Sequence, residues 1–181
     1  MKNLLFFLST LSLTGCGGTA TTDGDPNTLF VSGFETLDGW LPEPLSATLT
    51  TEQAHSGKTS LKVDANHEYS LTYTNVLSEL REARPDKIRV SAWAYLPGNQ
   101  AEATLVASIA DPAAGASAKP LLWQGIKLNE QVKTTGKWTE VSQVITLPAS
   151  INASHRLSIF LWRTGGSQPV YIDDLKVSVE P

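Results

Sequence analysis

The residues of this chain best equipped for chemistry stand near its end, in Tyr171-Ile172-Asp173-Asp174-Leu175. In an extended run, neighbouring side chains leave opposite faces, so at least one of the two carboxylates needs a partner to offset its desolvation. The partner expected is a bound cation. An acidic active site is the other chemistry that two adjacent carboxylates suggest. Support for catalysis elsewhere is thin: His55, His67 and His155 have no metal-ligand spacing, and neither a Gly-x-Ser-x-Gly elbow nor a phosphate-cradling glycine loop occurs. A glycosidase needs two carboxylates across a cleft, and 18 acidic residues offer too many pairs to choose one by counting. The chain is therefore expected not to be an enzyme.

The N-terminus sets the compartment. Met1-Lys2-Asn3 precedes an apolar run from Leu4 to Leu13, which has the shape of a secretory signal and is too short to span a bilayer. It ends in Leu13-Thr14-Gly15-Cys16, which resembles the lipobox of bacterial lipoproteins, with cleavage before a cysteine that then carries lipid. Cys16 is the only cysteine, so an internal disulfide is excluded. Residues 1–15 are read as signal peptide and 16–27 as a flexible tether from lipidated Cys16. Residues 28–181 have the size of one domain, large enough to bury a core. Removing Lys2 with the signal leaves 13 basic against 18 acidic side chains, a formal charge of −5, which argues against a nucleic-acid partner. Gly17, rather than aspartate, after the lipidated cysteine resembles the enterobacterial sorting pattern for the outer membrane.

The remainder reads as strands. Alternating or β-branched runs cover residues 28–35, 45–51, 59–63, 69–76, 86–96, 102–110, 121–128, 138–147, 156–164 and 170–179. Residues 77–84 are the only helix-like piece, stopped by Pro85. Residues 111–120 offer no large side chain to bury and predict a surface loop. Many short strands with almost no helix predict an all-β, two-sheet antiparallel sandwich or barrel.

Several pieces in order carry a resemblance: Phe34-Glu35, Trp40, Ser56-Gly57-Lys58-Thr59-Ser60-Leu61-Lys62-Val63, Val90-Ser91-Ala92-Trp93-Ala94-Tyr95, Thr135-Gly136-Lys137-Trp138-Thr139-Glu140-Val141 and Tyr171-Ile172-Asp173-Asp174-Leu175. The series resembles the jelly-roll carbohydrate-binding modules that accompany bacterial cellulases and xylanases, within the galactose-binding-like fold. It implies a jelly-roll β-sandwich over nearly all of residues 28–181. It also implies a structural calcium ion tying the first strand, the Ser-Gly turn and the last strand together. By position its ligands are Glu35 and Asp173 or Asp174, with backbone carbonyls around Ser56 and Lys58. Calcium suits such a set, since it takes about six to eight oxygen ligands. These modules usually ride on a catalytic domain. No catalytic domain is read beside the sandwich in this sequence, so the chain is expected to bind alone or to serve a separate glycan-degrading enzyme.

Sugar rings stack on exposed aromatic rings, with amides, acids and arginines bonding their hydroxyls. Of five tryptophans, Trp40 and Trp138 are expected to pack, and Trp93 to be buried with Tyr95 exposed. Trp162 is the leading ligand candidate because Leu157, Ile159 and Leu161 supply the inward face of its strand. Trp123, which has Gln124 beside it, Tyr95, Arg163 and Gln168 complete the carbohydrate set, Gln124 itself not being counted in it. The expected partner is a polysaccharide or oligosaccharide held at the cell envelope. The alternative is a structural or adhesion sandwich that binds another envelope protein.

Overall fold

The computed structural model describes residues 24–37, 40, 47–115 and 117–181. The expected signal peptide and Cys16 lie outside these residues, as does most of the tether. Asp25 and Asn27, by contrast, already belong to the fold, because their carbonyls accept from Thr28 N–H and Val179 N–H at 2.9 and 2.7 Å. In chain order the described strands and α-helical turns are β1 (Thr28–Ser32), β2 (Leu49–Thr50), β3 (Ser60–Val63), β4 (Tyr73–Val76), α1 (Leu77–Leu80), β5 (Lys87–Tyr95), β6 (Ala101–Ala110), β7 (Leu122–Lys127), α2 (Leu128–Gln131), β8 (Trp138–Thr146), β9 (Arg156–Gly166) and β10 (Val170–Glu180), with a 3-10 turn at Pro112–Ala114 between β6 and β7. No described helix is long and apolar enough to cross a membrane.

The strands form two antiparallel sheets. One runs β2-β3-β10-β5-β8 with β1 also on β10, and the other runs β4-β9-β6-β7. Period-2 alternation decides which side chains meet between them. Ile88, Val90, Ala92 and Ala94 of β5 face Leu105, Ala107 and Ile109 of β6 and Leu157, Ile159 and Leu161 of β9 across a closed core. Each buried leucine, isoleucine or valine contributes about 1.5–3 kcal/mol relative to exposure. The fold is the jelly-roll β-sandwich that the strand pattern and the resemblance implied.

Three local expectations change. Residues 69–72 do not continue β4 as a strand, because the Ser70 hydroxyl accepts from Leu161 N–H and Leu71 N–H donates to Thr48 Oγ1. The alternation therefore breaks, leaving Leu71 and Tyr73 buried but Tyr69 at 54% exposure. Trp93 is half-buried on the outer face of its sheet rather than in the core, its ring stacked on His55 at 3.9 Å. The turn of helix α2 has no counterpart in the strand reading. Leu128 plugs it into the core, and its Gln131 amide bonds both the N–H and the carbonyl of Ser142, covering the free edge of β8.

β10 organises the closure. Along one edge it pairs first with β3 through Val170–Ile172 and then with β1 through Leu175–Ser178. Between those segments its ladder with β5 slips by one residue, so that Asp173 opposes Trp93 but Lys176 opposes Ser91. Asp174 takes a left-handed φ of 46° in this bulge.

Candidate functional site

The outer face of the four-stranded sheet carries a groove. Cross-strand register sets its floor: Lys127, Thr104 and Trp162 lie in one row across β7, β6 and β9, and Gly125, Val106 and Phe160 in the next. Trp123 is 50% exposed and leans along its own strand over Gly125. A Cβ at Gly125 would stand 2.7 Å from Thr104 Cγ2 and 3.1 Å from the Trp123 ring, so only glycine leaves the indole its seat. The Trp123 and Trp162 rings meet edge to face, with centroids 6.2 Å apart and planes at 79°. Tyr69 lies nearly parallel to Trp162 at 6.1 Å.

The groove between the two tryptophans encloses about 310 Å³, and its polar lining comes from Glu102, Lys127, Asn129, Glu130 and Thr164. Lys127 Nζ bonds Glu130 Oε1 at 2.9 Å, and that contact holds the ammonium's pKa above its ordinary value. Trp162 Nε1–H donates to Glu68 Oε1 at 3.0 Å, and Arg163 N–H donates to the Glu68 carbonyl at 2.8 Å. Two aromatic walls at right angles, rimmed by carboxylates and an amide, can receive the apolar face of a pyranose and bond its hydroxyls.

Of the expected carbohydrate residues, the structure unites Trp162 and Trp123 and separates the other three from them. Tyr95 lies on the other sheet, half-buried against Trp138 and Tyr171 with centroids 5.5 and 5.9 Å away. Arg163 alternates away from Trp162, and its guanidinium bonds the Gly166 carbonyl. Gln168 closes a loop, accepting Gln100 N–H at 3.3 Å. Trp40 is buried as expected, whereas Trp138 is only half-buried. Glu102, Thr104, Gly125 and Lys127 were legible by alternation from Ala103, Leu105 and Trp123. Asn129 and Glu130 on α2, and Tyr69 beyond a broken strand, carried no such signal.

Glu35, Ser56, Lys58, Asp173 and Asp174 are brought together around the β10 bulge. Backbone N–H groups of His55, Ser56, Lys58, Thr59 and Asp174 donate to the carboxylates here. His55 and Ser56 N–H donate to Asp173 Oδ2 at 2.7 and 3.1 Å, and Asp174 N–H donates to Asp173 Oδ1 at 2.7 Å. The Ser56 hydroxyl bonds Asp174 Oδ1, and His55 Nδ1 bonds Asp174 Oδ2, each at 2.6 Å. Glu35 Oε1 accepts Lys58 and Thr59 N–H at 2.8 and 2.7 Å. Gly57, at φ 58°, allows this turn, and a Cβ there would stand 2.6 Å from Glu35 Oε1. Burial raises the Asp173 pKa against the lowering by its N–H bonds, whereas the Lys58 and Thr59 N–H bonds lower that of Glu35.

The donor set is a poor fit for a cage of side-chain ligands. No group of three or more His, Cys, Asp or Glu among the described residues is placed to hold a metal ion. Asp173 has 0% exposure and already accepts three N–H bonds. The exposed Glu35 and the partly exposed Asp174 are the carboxylates left to face an ion.

A jelly-roll sandwich with an aromatic-walled groove on one sheet defines a class of carbohydrate-binding module. The family described as "Carbohydrate binding domain" matches residues 26–166, and the chain belongs to it. Among curated proteins none matches in sequence. Solved structures share the fold. The CBM22-1 xylan-binding domain of Paenibacillus barcinonensis Xyn10C is 18% identical with a TM-score of 0.54, over 84% of this chain and 94% of that one. The C-terminal family 22 module of Clostridium thermocellum Xyn10B is 14% identical with a TM-score of 0.54, over 84% and 90%. A second module of carbohydrate-binding family 16 is 14% identical with a TM-score of 0.52, over 80% and 92%.

Proposed function

We propose that this chain is a non-catalytic, lipid-anchored protein that holds a polysaccharide at the cell envelope, with the groove between Trp123 and Trp162 as its binding site. The observation that carries the reading is the perpendicular pair of indoles, one of them half exposed, over a floor that Gly125 keeps open. Family membership supports carbohydrate as the ligand class. Xylan is the first glycan to test, because similar folds are named for binding it. The mature domain is expected to be retained on at least one member of a panel of insoluble and soluble glycans. No retention on any member overturns the sugar reading in favour of an envelope assembly module.

The anchor is lipid on Cys16, supported by Leu13-Thr14-Gly15-Cys16 alone. Cys16→Ala is expected to move the protein from the membrane fraction to the soluble one, and unchanged fractionation removes the anchor. Partnership with a separate glycan-degrading enzyme and an outer-membrane location belong to the same proposal.

Calcium is proposed at Glu35 and Asp174, with Asp173 kept as the acceptor that holds the loop. A bound ion stabilises the folded state by mass action. Chelation by EDTA is therefore expected to lower Tm and calcium to restore it. A Tm indifferent to both removes the ion.

A further inference from the structure

From the charges around the groove we infer that it selects uncharged glycan chains and excludes chains whose sugars carry carboxylates; this rests on the proposed sugar site. Glu102 and Glu130 line the groove, and Glu68 holds the outer edge of Trp162. Against these three carboxylates the lining presents, among the described residues, one cation, Lys127, whose ammonium is already engaged by Glu130. The guanidinium next in sequence to Trp162, that of Arg163, is turned to the Gly166 carbonyl. Among the described residues the lining therefore offers no free fork of donors to a sugar carboxylate, the arrangement by which arginine recognises that group.

The placement of Glu102 is built into the backbone. β6 and β9 slip register here, with Ala103 opposite Arg163 but Glu102 opposite Gly165, so that Thr164 is an extra residue. A Cβ at Gly165 would stand 2.5 Å from Glu102 Oε2, so the carboxylate lies over a glycine that leaves room for it. A neutral sugar gives such carboxylates hydroxyl donors, and the hydrogen bonds are strong because the acceptor is charged. A uronic acid gives them a like charge at close range inside a partly desolvated groove, where Coulomb repulsion is felt more strongly than in bulk water. The same acids that recognise hydroxyls thus reject carboxylates.

The test uses one polymer in two forms: xylan bearing glucuronic acid side groups, and the same xylan after its carboxyls are reduced to alcohols. Affinity electrophoresis of the mature domain in EDTA is expected to show retention at least about threefold stronger on the reduced form. The gap is expected to narrow at about 1 M salt, where the Debye length falls to about 3 Å. Glu102→Gln and Glu130→Gln are expected to narrow it at low salt, the latter also by freeing Lys127. Equal retention of both forms, or tighter retention of the intact one, overturns the selectivity while leaving the sugar site standing. Absence of retention on either form and on every neutral glycan overturns the sugar site, and the selectivity with it.

Discussion

The edge of Trp162 is fixed by Glu68: the indole Nε1–H donates to Glu68 Oε1 at 3.0 Å while the carbonyl of Glu68 accepts from Arg163 N–H. The ring most central to the groove is thus held at a set angle to Trp123 before any ligand arrives, and preorganised aromatics lose less entropy on binding. Trp162→Ala is expected to weaken retention on affinity gels by about tenfold or more, near 1.4 kcal/mol, with the fold intact. Glu68→Ala, which leaves the ring but frees its edge, should cost only a few-fold. Unchanged retention of the Trp162 variant removes that residue from the site.

Gly125 supplies a second test, on the floor rather than the wall. Gly125→Val puts atoms where Thr104 Cγ2 and the Trp123 ring now stand. The strand itself tolerates the β-branched residue, so stability is expected to change by no more than about 1 kcal/mol in denaturant titration. Glycan retention should fall toward that of Trp123→Ala. A variant that binds as well as the parent shows that the seat of Trp123 is immaterial.

Asp173 contributes to stability rather than to ligand. Asp173→Ala would leave the part-buried N–H groups of His55, Ser56 and Asp174 without this acceptor. Loss of such charge-assisted bonds is expected to cost about 2–4 kcal/mol in urea unfolding. Retention of the glycan, measured where the variant is still folded, should match the parent, because the groove is on the other sheet. Loss of retention in the folded variant would show that the two sheets are coupled.

Glu35 gives a pH dependence of definite sign. The N–H groups of Lys58 and Thr59 favour its ionised form and lower its pKa from 4.5, so its contribution to stability is full above that value and is lost as pH falls through the lower folded one. Glu35→Gln is expected to melt below the parent at pH 7 in EDTA, and the two curves should converge on acidification below pH 4.5. A gap of the same size at pH 3 and pH 7 would be inconsistent with this linkage.

The sheets were legible because period-2 alternation is a local property, and Ile88-Val90-Ala92-Ala94 or Leu157-Ile159-Leu161 state their faces outright. Trp162 followed from the same rule. The rule failed where the third dimension intervened. Tyr95 obeys alternation, but nothing local tells which sheet its outward face belongs to. Arg163 falls on the wrong side because the alternation that turns Trp162 outward turns its neighbour away from the groove. Tyr69 is exposed because a serine hydroxyl interrupts the ladder, and a side-chain bond of that kind leaves no periodic trace. Glu35, Ser56 and Asp174 come together from distant parts of the chain, but the N–H bonds that His55 and Thr59 give the carboxylates leave no trace in spacing.

The distribution of indoles has an optical consequence. Trp40 is buried, and Trp93 and Trp138 are partly covered within ring contacts to His55, whereas Trp123 stands half in solvent and shares the groove with Trp162. Docking of a sugar would dehydrate the exposed emitter and leave the sheltered ones as they are. The native protein thus carries its own reporter of occupancy, readable as a blue shift in emission without label or tag, and Trp123→Phe is the variant in which most of that signal should vanish.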